Sequence, residues 1–326
     1  MINRYGDISP RTAGYVIGEL LKRAIPYMVL ENFGQVKTIP NQSTASVIFR
    51  RYEPLDNTPN FLQEGVTPAG KPLRKTDVSA TLSQLGDVIE LTDVIMDTHE
   101  DPILMESSDI LAEQAAQMIE RLRYGVLRAG TNVTFGNGTA RSAVTAPIST
   151  TIIRRAVRGL ERQNARKLTK VVRPSADYAT VPLAPAYVAV CHPDLDADVR
   201  SASGYKDPAN YTTYTPWENE IGAIEKVRFL TSTLFDSFKD AGGAVGSNVS
   251  TAGTASDVYP ILIFGADAYG IVPLKGQQSI TPMVVNPKPA VGDPLGQRGS
   301  VGWKSMQTAI ILQDLWMMRI EVAATA

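Results

Sequence analysis

The chain has one cysteine, Cys191, and two histidines, His99 and His192, among 326 residues. A lone cysteine excludes an intrachain disulfide and agrees with synthesis in a reducing compartment. One cysteine and two histidines also fall short of the sets that hold a structural zinc ion, four cysteines or two cysteines with two histidines. Long apolar runs are missing: no stretch approaches the roughly 20 residues that span a bilayer, and the opening MINRYGDISPRTAG lacks the apolar core of a signal peptide. The expectation is a soluble, unexported protein with no membrane partner. An excess of one charge is missing too. The 32 basic and 33 acidic residues leave a net charge of −1, which disfavours a protein whose affinity rests on neutralising many phosphates.

What is present points to a folded chain. Apolar residues make up 44% and charged residues 20%, a globular balance, and the length allows about two ordinary domains. The 21 prolines and 25 glycines imply many turns.

Along the chain, an amphipathic helix is expected over Thr12 to Ala24, with Val16, Ile17, Leu20 and Leu21 on one stripe. A polar stretch broken by proline and glycine follows. SVIFRR (Ser46 to Arg51) reads as a strand that enters an irregular excursion through Pro54, Pro59, Pro68 and Pro72 and returns through Val78 to Val94. An excursion of that length cannot bury enough of itself to stay ordered, so it is expected to rest on a neighbouring chain. Asp101 as N-cap and Pro102 at the first helical position open a long helix, its stripe carried by Ile110, Leu111, Ala115, Met118, Ile119, Leu122 and Val126 up to Gly130. From Asp101 to Ala129 it would span on the order of 40 Å. A second helix starts near Ser149, with Ile152, Ile153, Ala156, Val157 and Leu160 inward. Beyond Arg173, AYVAVCH, EKVRFLTST and YPILIFG read as strands around a short helix in PDLDADVRSA, a small α/β arrangement. Ala241 to Ser256, rich in Gly, Ala, Ser and Thr, reads as a flexible surface loop.

Candidate chemistry is sparse. Cys191 and His192 are adjacent on a strand and point to opposite faces, so they cannot share a proton as nucleophile and base. Asp194, Asp196 and Asp198 lack the glycine and the distant glutamate of a calcium loop, and Asp194 is assigned to capping the short helix. His99, Glu100 and Asp101, directly before a helix, read as a cap with a solvent-facing histidine. Neither catalysis nor a cofactor is expected. The second helix carries Arg154, Arg155, Arg158, Arg162 and Arg166, followed by Lys167 and Lys170, against Glu161 alone. Without interleaved aromatics this is a solvated face pairing with acidic neighbours, with weak contact to nucleic acid or an acidic partner as the alternative. In the excursion, Arg50, Arg51, Lys71, Arg74 and Lys75 mix with Glu53, Asp56, Glu64 and Asp77, which marks Arg50, Arg51, Glu53, Glu64, Lys71, Arg74 and Lys75 as candidates for contacts between subunits.

The closing segment, DPLGQRGSVGWKSMQTAIILQDLWMMRIEV (Asp293 to Val322), carries a glycine turn into alternating and then continuous apolar residues. Gly296 and Gly299 flank a tight turn, and one long bent strand or two strands follow. It is no phosphate loop, because Trp303 separates Gly302 from Lys304 and Ser305. DPLGQRG, VGWK and the run ending in MRIE resemble the closing segment of one family of tailed-bacteriophage major capsid proteins, that of the phage N-four coat protein. SATLSQLGDVIELTDVIMDTHEDPIL, LAEQAAQMIERLRYGVLRAG and AYVAVCHPDLDADVR resemble the same family in the same order.

The resemblance implies an α+β chain with the Hong Kong ninety-seven type of capsid fold. Residues 1–46 would form an N-terminal arm and 47–92 an extended loop. Residues 93–172 with 291–326 would form a peripheral domain containing the spine helix, and 173–290 an axial domain. It further implies a non-enzymatic subunit, made in the host bacterial cytoplasm, that assembles as hexamers and pentamers into an icosahedral virion head around double-stranded DNA. Portal, scaffold and decoration proteins would be its other partners. An encapsulin-like compartment of the same fold, or a soluble α/β enzyme, are the alternative readings.

Overall fold

The structure is a computed structural model that describes residues 28–40, 44–61, 64–65, 67, 70–94, 103–172, 180–211, 216–274, 280–285, 287, 289 and 294–326. The expected helix over Thr12 to Ala24 and the cap at His99, Glu100, Asp101 and Pro102 lie outside those residues.

Fifteen strands and three α-helices are described. In chain order, Gln35–Val36 is β1, Ser46–Tyr52 β2, Lys75–Thr81 β3 and Ser83–Thr92 β4. Helix α1, Ile103–Arg128, leads to β5, Val133–Phe135. Helix α2, Thr150–Arg162, leads to β6, Leu168–Val172, and β7, Thr180–Cys191. Helix α3, Asp196–Ser201, precedes β8, Tyr205–Lys206, β9, Glu220–Ile224, and β10, Val227–Thr231. The chain closes with β11, Val258–Phe264, β12, Tyr269–Pro273, β13, Ile280–Val285, β14, Arg298–Ile311, and β15, Met317–Ala323.

One sheet is organised by β14. It pairs antiparallel with β4 from Arg298 to Gln307, with β13 from Ser300 to Ser305, and with β12 from Gln307 to Ile311, while β1 joins β12 in parallel. Odd-numbered β14 residues face α1: Val301 and Trp303 pack with Leu91, Leu111 and Ala115. The second sheet runs β5–β15–β11–β7–β10–β9–β8, with β6 on β7. It is buried on both faces, so β11 is apolar without alternation. One face receives Ile152, Ile153, Ala156, Val157 and Leu160 of α2. The other meets Tyr124 and Leu127 of α1, together with Val29, Leu30 and Phe33. At 26 residues α1 is about 39 Å long and touches both sheets.

Several expectations change. The return through Val78 to Val94 is not one strand: β3 pairs with β2, and after Leu82 the chain transfers to β14 as β4. The buried stripe of α1 is rotated from the apolar pattern. Leu111, Ala112, Ala115, Ala116, Ile119, Glu120, Arg123, Tyr124 and Leu127 face inward, whereas Ile110 is exposed. The 241–256 segment is not a loose tether. Gly242 N donates to Ser256 O at 2.9 Å and Ser256 N to Gly243 O at 2.8 Å; Asp257 Oδ1 accepts from the amides of Asp240 and Thr251. An antiparallel bridge at Ala244 and Ala255 and bonds from the carboxylates of Asp240 and Asp257 to backbone amides hold the segment together. The closing run resolves into two strands broken by a 3-10 turn at Asp314–Trp316. The first lies in one sheet and the second in the other, and Gly296 before them has a positive φ of 66°.

A glycine sets the approach of β4 to β14. A Cβ on Gly86 would sit 2.6 Å from the Trp303 carbonyl oxygen, a backbone atom that cannot swing aside. Gly86→Ala is expected to lower the unfolding free energy by about 1–3 kcal/mol, seen as a lower urea midpoint with unchanged slope. An unchanged midpoint would contradict the register.

Candidate functional site

No catalytic constellation forms among the described residues. Cys191 is fully buried at the end of β7; burial pushes its thiol up to about 12, and Sγ lies 3.6 Å from the Leu230 carbonyl oxygen. His192 is the residue that caps, with Nδ1 accepting from the Asp194 amide at 3.3 Å. The expected capping role of Asp194 is therefore wrong. Its carboxylate instead accepts from the Tyr259 hydroxyl at 2.6 Å and lies 3.1 Å from His192. The strand leaves no free turn of backbone at Asp194 to cap, because the turn begins one residue earlier at Pro193. Asp196 pairs with Arg200 at 2.9 Å, and Asp198 accepts from the Thr325 amide at 2.9 Å. Among the described residues no group of three or more His, Cys, Asp or Glu side chains could hold a metal ion.

The surfaces are more informative. Strands β2 and β3 form a hairpin in register from Ser46↔Thr81 to Tyr52↔Lys75. Its root is anchored by Val47 and Phe49, which pack with Ile39, Ala80 and Val272. The outer face carries Arg50 and Asp77 opposite each other, joined by two hydrogen bonds of 2.8 and 3.1 Å. The Arg50 hydrogen bonds hold the Asp77 carboxyl below the usual carboxylate range. Lys75 lies 3.6 Å from Asp77, Lys71 3.9 Å from Asp56, and Glu53 accepts from Thr76 at 2.9 Å. Arg50, Glu53, Lys71 and Lys75 thus find partners within the hairpin, while Arg51, Glu64 and Arg74 are exposed. Toward the tip three large apolar side chains, Leu55, Leu73 and above all Phe61, which is 91% exposed, stand uncovered among exposed polar residues such as Asn57 and Asn60.

A second uncovered apolar surface lies on the face of β4–β14–β13 away from α1. Gly86 and Gly302 form the floor of a groove there; Val88, Met283 and Val285 rise beside it, with Lys304 at the margin. Val88 and Val285 are more than half exposed. Sequence reasoning passed over this groove, although VGWK does place Gly302 at its floor. The strand pairing that brings β13 and β4 to either side of β14 leaves no local signal.

On α2, Arg154 bonds Glu225 at 2.6 Å, and Glu161 is taken by Lys226 at 2.7 Å and Lys167 at 3.1 Å. Arg155, Arg158, Arg162 and Arg166 are exposed, and among the described residues none has a carboxylate at ion-pair distance.

Three buried charge centres also escaped the sequence. Glu321, fully buried, is held by Arg141 at 2.7 Å and Arg319 at 2.9 Å. Glu220 holds Arg228, which stacks 4.1 Å over Trp217. Glu120 and Arg123 form the third, on α1. The i, i+3 spacing of the last and the Arg-x-Glu inside an apolar run were the available signals.

A model of a family described as phage capsid protein matches residues 75–315. Among solved structures, the capsid of Ralstonia phage GP4 superposes with a TM-score of 0.69 at 14% identity, covering 90% of this chain and 87% of that one. The cyanophage Pam1 capsid gives 0.63 at 12% identity, covering 93% and 92%. The cyanophage P-SCSP1u capsid gives 0.60 at 14%, covering 91% and 88%. No curated protein matches.

The buried thiol gives a direct check of the core. Native protein is expected to leave Cys191 unlabelled by Ellman's reagent at pH 8, and unfolding in urea should release one reactive thiol per chain. Labelling of the native state at the rate of a free thiol would contradict the burial.

Proposed function

The chain belongs to the phage capsid protein family, and from that premise we propose how its surfaces build the shell. It is a major capsid protein, a structural subunit of a phage head and so of the virion. Family membership favours this over an encapsulin-like compartment or a soluble α/β enzyme. We read the subunit as non-enzymatic and made in the host cytoplasm. Its proposed plan is an arm over 1–46, an extended loop over 47–92, a peripheral domain over 93–172 and 291–326, and an axial domain over 173–290.

One observation carries the assembly reading: the same chain leaves two apolar surfaces uncovered, the loop tip with Leu55, Phe61 and Leu73 and the sheet groove with Val88, Met283 and Val285. A soluble subunit gains nothing from either, and both are satisfied if the tip of one subunit lies in the groove of the next. Tip and groove are different patches, so the contact is head-to-tail and closes into rings, the hexamers and pentamers of an icosahedral shell. Arg51, Glu64, Arg74 and Lys304 then sit at the rim, where charge sets register more than affinity. The exposed arginines Arg155, Arg158, Arg162 and Arg166 support a further reading: weak, sequence-independent contact with enclosed double-stranded DNA. Portal, scaffold and decoration proteins are proposed partners on family grounds alone.

Phe61→Ser is expected to leave the thermal midpoint of the free subunit unchanged and to abolish large particles in light scattering and negative-stain micrographs. Particles of normal yield from the variant would remove the loop contact from the account. Absence of shells from the unaltered protein, even with its scaffold co-expressed, would sink the shell reading itself. Replacing Arg155, Arg158, Arg162 and Arg166 by Gln should preserve shells while lowering the salt at which short DNA fragments dissociate from opened particles; an unchanged salt profile would return these residues to a plain solvated face.

A further inference from the structure

Residues Val29 to Asn32 enter the described structure as a 3-10 turn laid against α1. The start of such a turn has amides with no partner of its own. Here a side chain from the helix takes them: Glu120 Oε1 accepts from Val29 N at 3.0 Å and from Leu30 N at 2.8 Å. The Tyr269 hydroxyl donates to the Leu30 carbonyl oxygen at 2.6 Å, so the turn is held from both sides. Glu120 is fully buried, and its other oxygen, Oε2, has no hydrogen-bond partner. Arg123 Nη1 lies 3.9 Å from that oxygen, beyond hydrogen-bond reach; its Nη2 donates to Gln307 of β14 at 2.9 Å and Nη1 to Glu31 of the turn at 3.3 Å, while its Nε has no hydrogen-bond partner.

We propose that Glu120 is a proton-operated clasp between the segment at Val29–Leu30 and α1, closed when its carboxyl is neutral and loosened when it is ionised. The neutral acid keeps Oε1 as an acceptor for both amides and removes a buried charge. The anion is stabilised by water, which reaches it only if the turn lifts away and frees those amides. The charged and titratable groups around it are few. Arg123, on its own helix, favours the anion; Glu31, on the turn, opposes it; Tyr269, on β12, is a neutral phenol kept protonated by burial; Gln307, on β14, is uncharged. Burial outweighs Arg123 and the two amides, and pushes the carboxyl up to about 7. A carboxyl raised by folding favours the closed form at low pH, and that preference is lost as pH rises through the folded value. The clasp therefore tightens in weak acid and slackens above neutrality. It stands on geometry within one chain, independent of how shells form.

The test is amide hydrogen exchange of the peptide covering Val29 to Phe33 in the unassembled subunit, corrected for intrinsic exchange. The opening constant is expected to rise roughly tenfold per pH unit between pH 5 and 7 and to level off above. Glu120→Gln, which keeps the acceptor and cannot ionise, should remove the slope and hold the turn as closed at pH 8 as the unaltered protein is at pH 5. Tyr269→Phe, which loosens the turn from its other side, should raise opening at every pH and keep the slope. A flat profile in the unaltered protein, or a slope that survives in Glu120→Gln, overturns the proposal. Should Glu120→Gln not fold, the unaltered protein decides alone, a midpoint near 7 supporting the clasp and a flat profile rejecting it.

Discussion

The structure depends on the hydrogen-bonding capacity of one strand. β14 pairs with β4 along ten residues, with β13 over its first half and with β12 over its second, and α1 lies across its odd-numbered face. Strands far apart in sequence thus share one scaffold: β4 comes from before the long helix, β12 and β13 from after β11 of the second sheet. Glycine is what lets them come so close. Gly86 and Gly302 face backbone carbonyls of the opposing strand at distances that no Cβ tolerates. The same two residues flatten the outer face into a groove. The constraint that builds the sheet therefore also makes the surface to which a neighbour can be fitted.

Around this strand the fold spends its few buried charges at junctions. Glu321, Arg141 and Arg319 tie β15 to the turn at Arg141–Ala143, and Arg319 reaches the carbonyl of Arg128, the last residue of α1, and that of Gly130 just beyond it. Those carbonyls have no helical partner, and a guanidinium satisfies them. Glu220 and Arg228 draw Tyr211 and Trp217 onto β9 and β10, while Phe33 packs edge-on against Trp217. Pairs of this kind add little net stability compared with apolar packing, but breaking one leaves a stranded charge, so they fix a single arrangement. Glu120 differs because one of its oxygens is left unbonded.

Much of this was legible in the sequence. The long helix, the buried strands of AYVAVC and YPILIF, and the hairpin framed by SVIFRR follow from periodicity and punctuation, and the spelling of the closing segment carries the family. What periodicity could not give was the rotation of α1, since Glu120 and Arg123 occupy inward positions that hydropathy assigns to solvent. It also missed β9, whose two-residue turn into β10 places Glu225 at a φ of 53° without the glycine or asparagine that announces such turns. The exchange of partners after Leu82 and the tied loop near Asp257 depend on residues distant in sequence. The mixed charges of the excursion point, in sequence, to contacts between subunits; Arg50, Lys71 and Lys75 meet carboxylates of their own hairpin, and it is the apolar tip beyond them that is left unsatisfied.

A shell subunit must fold alone and yet remain incomplete, and this chain leaves two apolar patches uncovered, the loop tip and the sheet groove. The most direct test uses the single buried cysteine as a silent background. In a Glu64→Cys, Lys304→Cys variant, which keeps the apolar anchors and places one thiol beside the loop tip and one at the groove margin, mild oxidation of assembled particles should give a covalent ladder on denaturing gels that rises to five- and six-membered rings and collapses on reduction. A chain that stays monomeric under oxidation, in particles of normal size, would contradict the seating of the loop tip in the neighbouring groove.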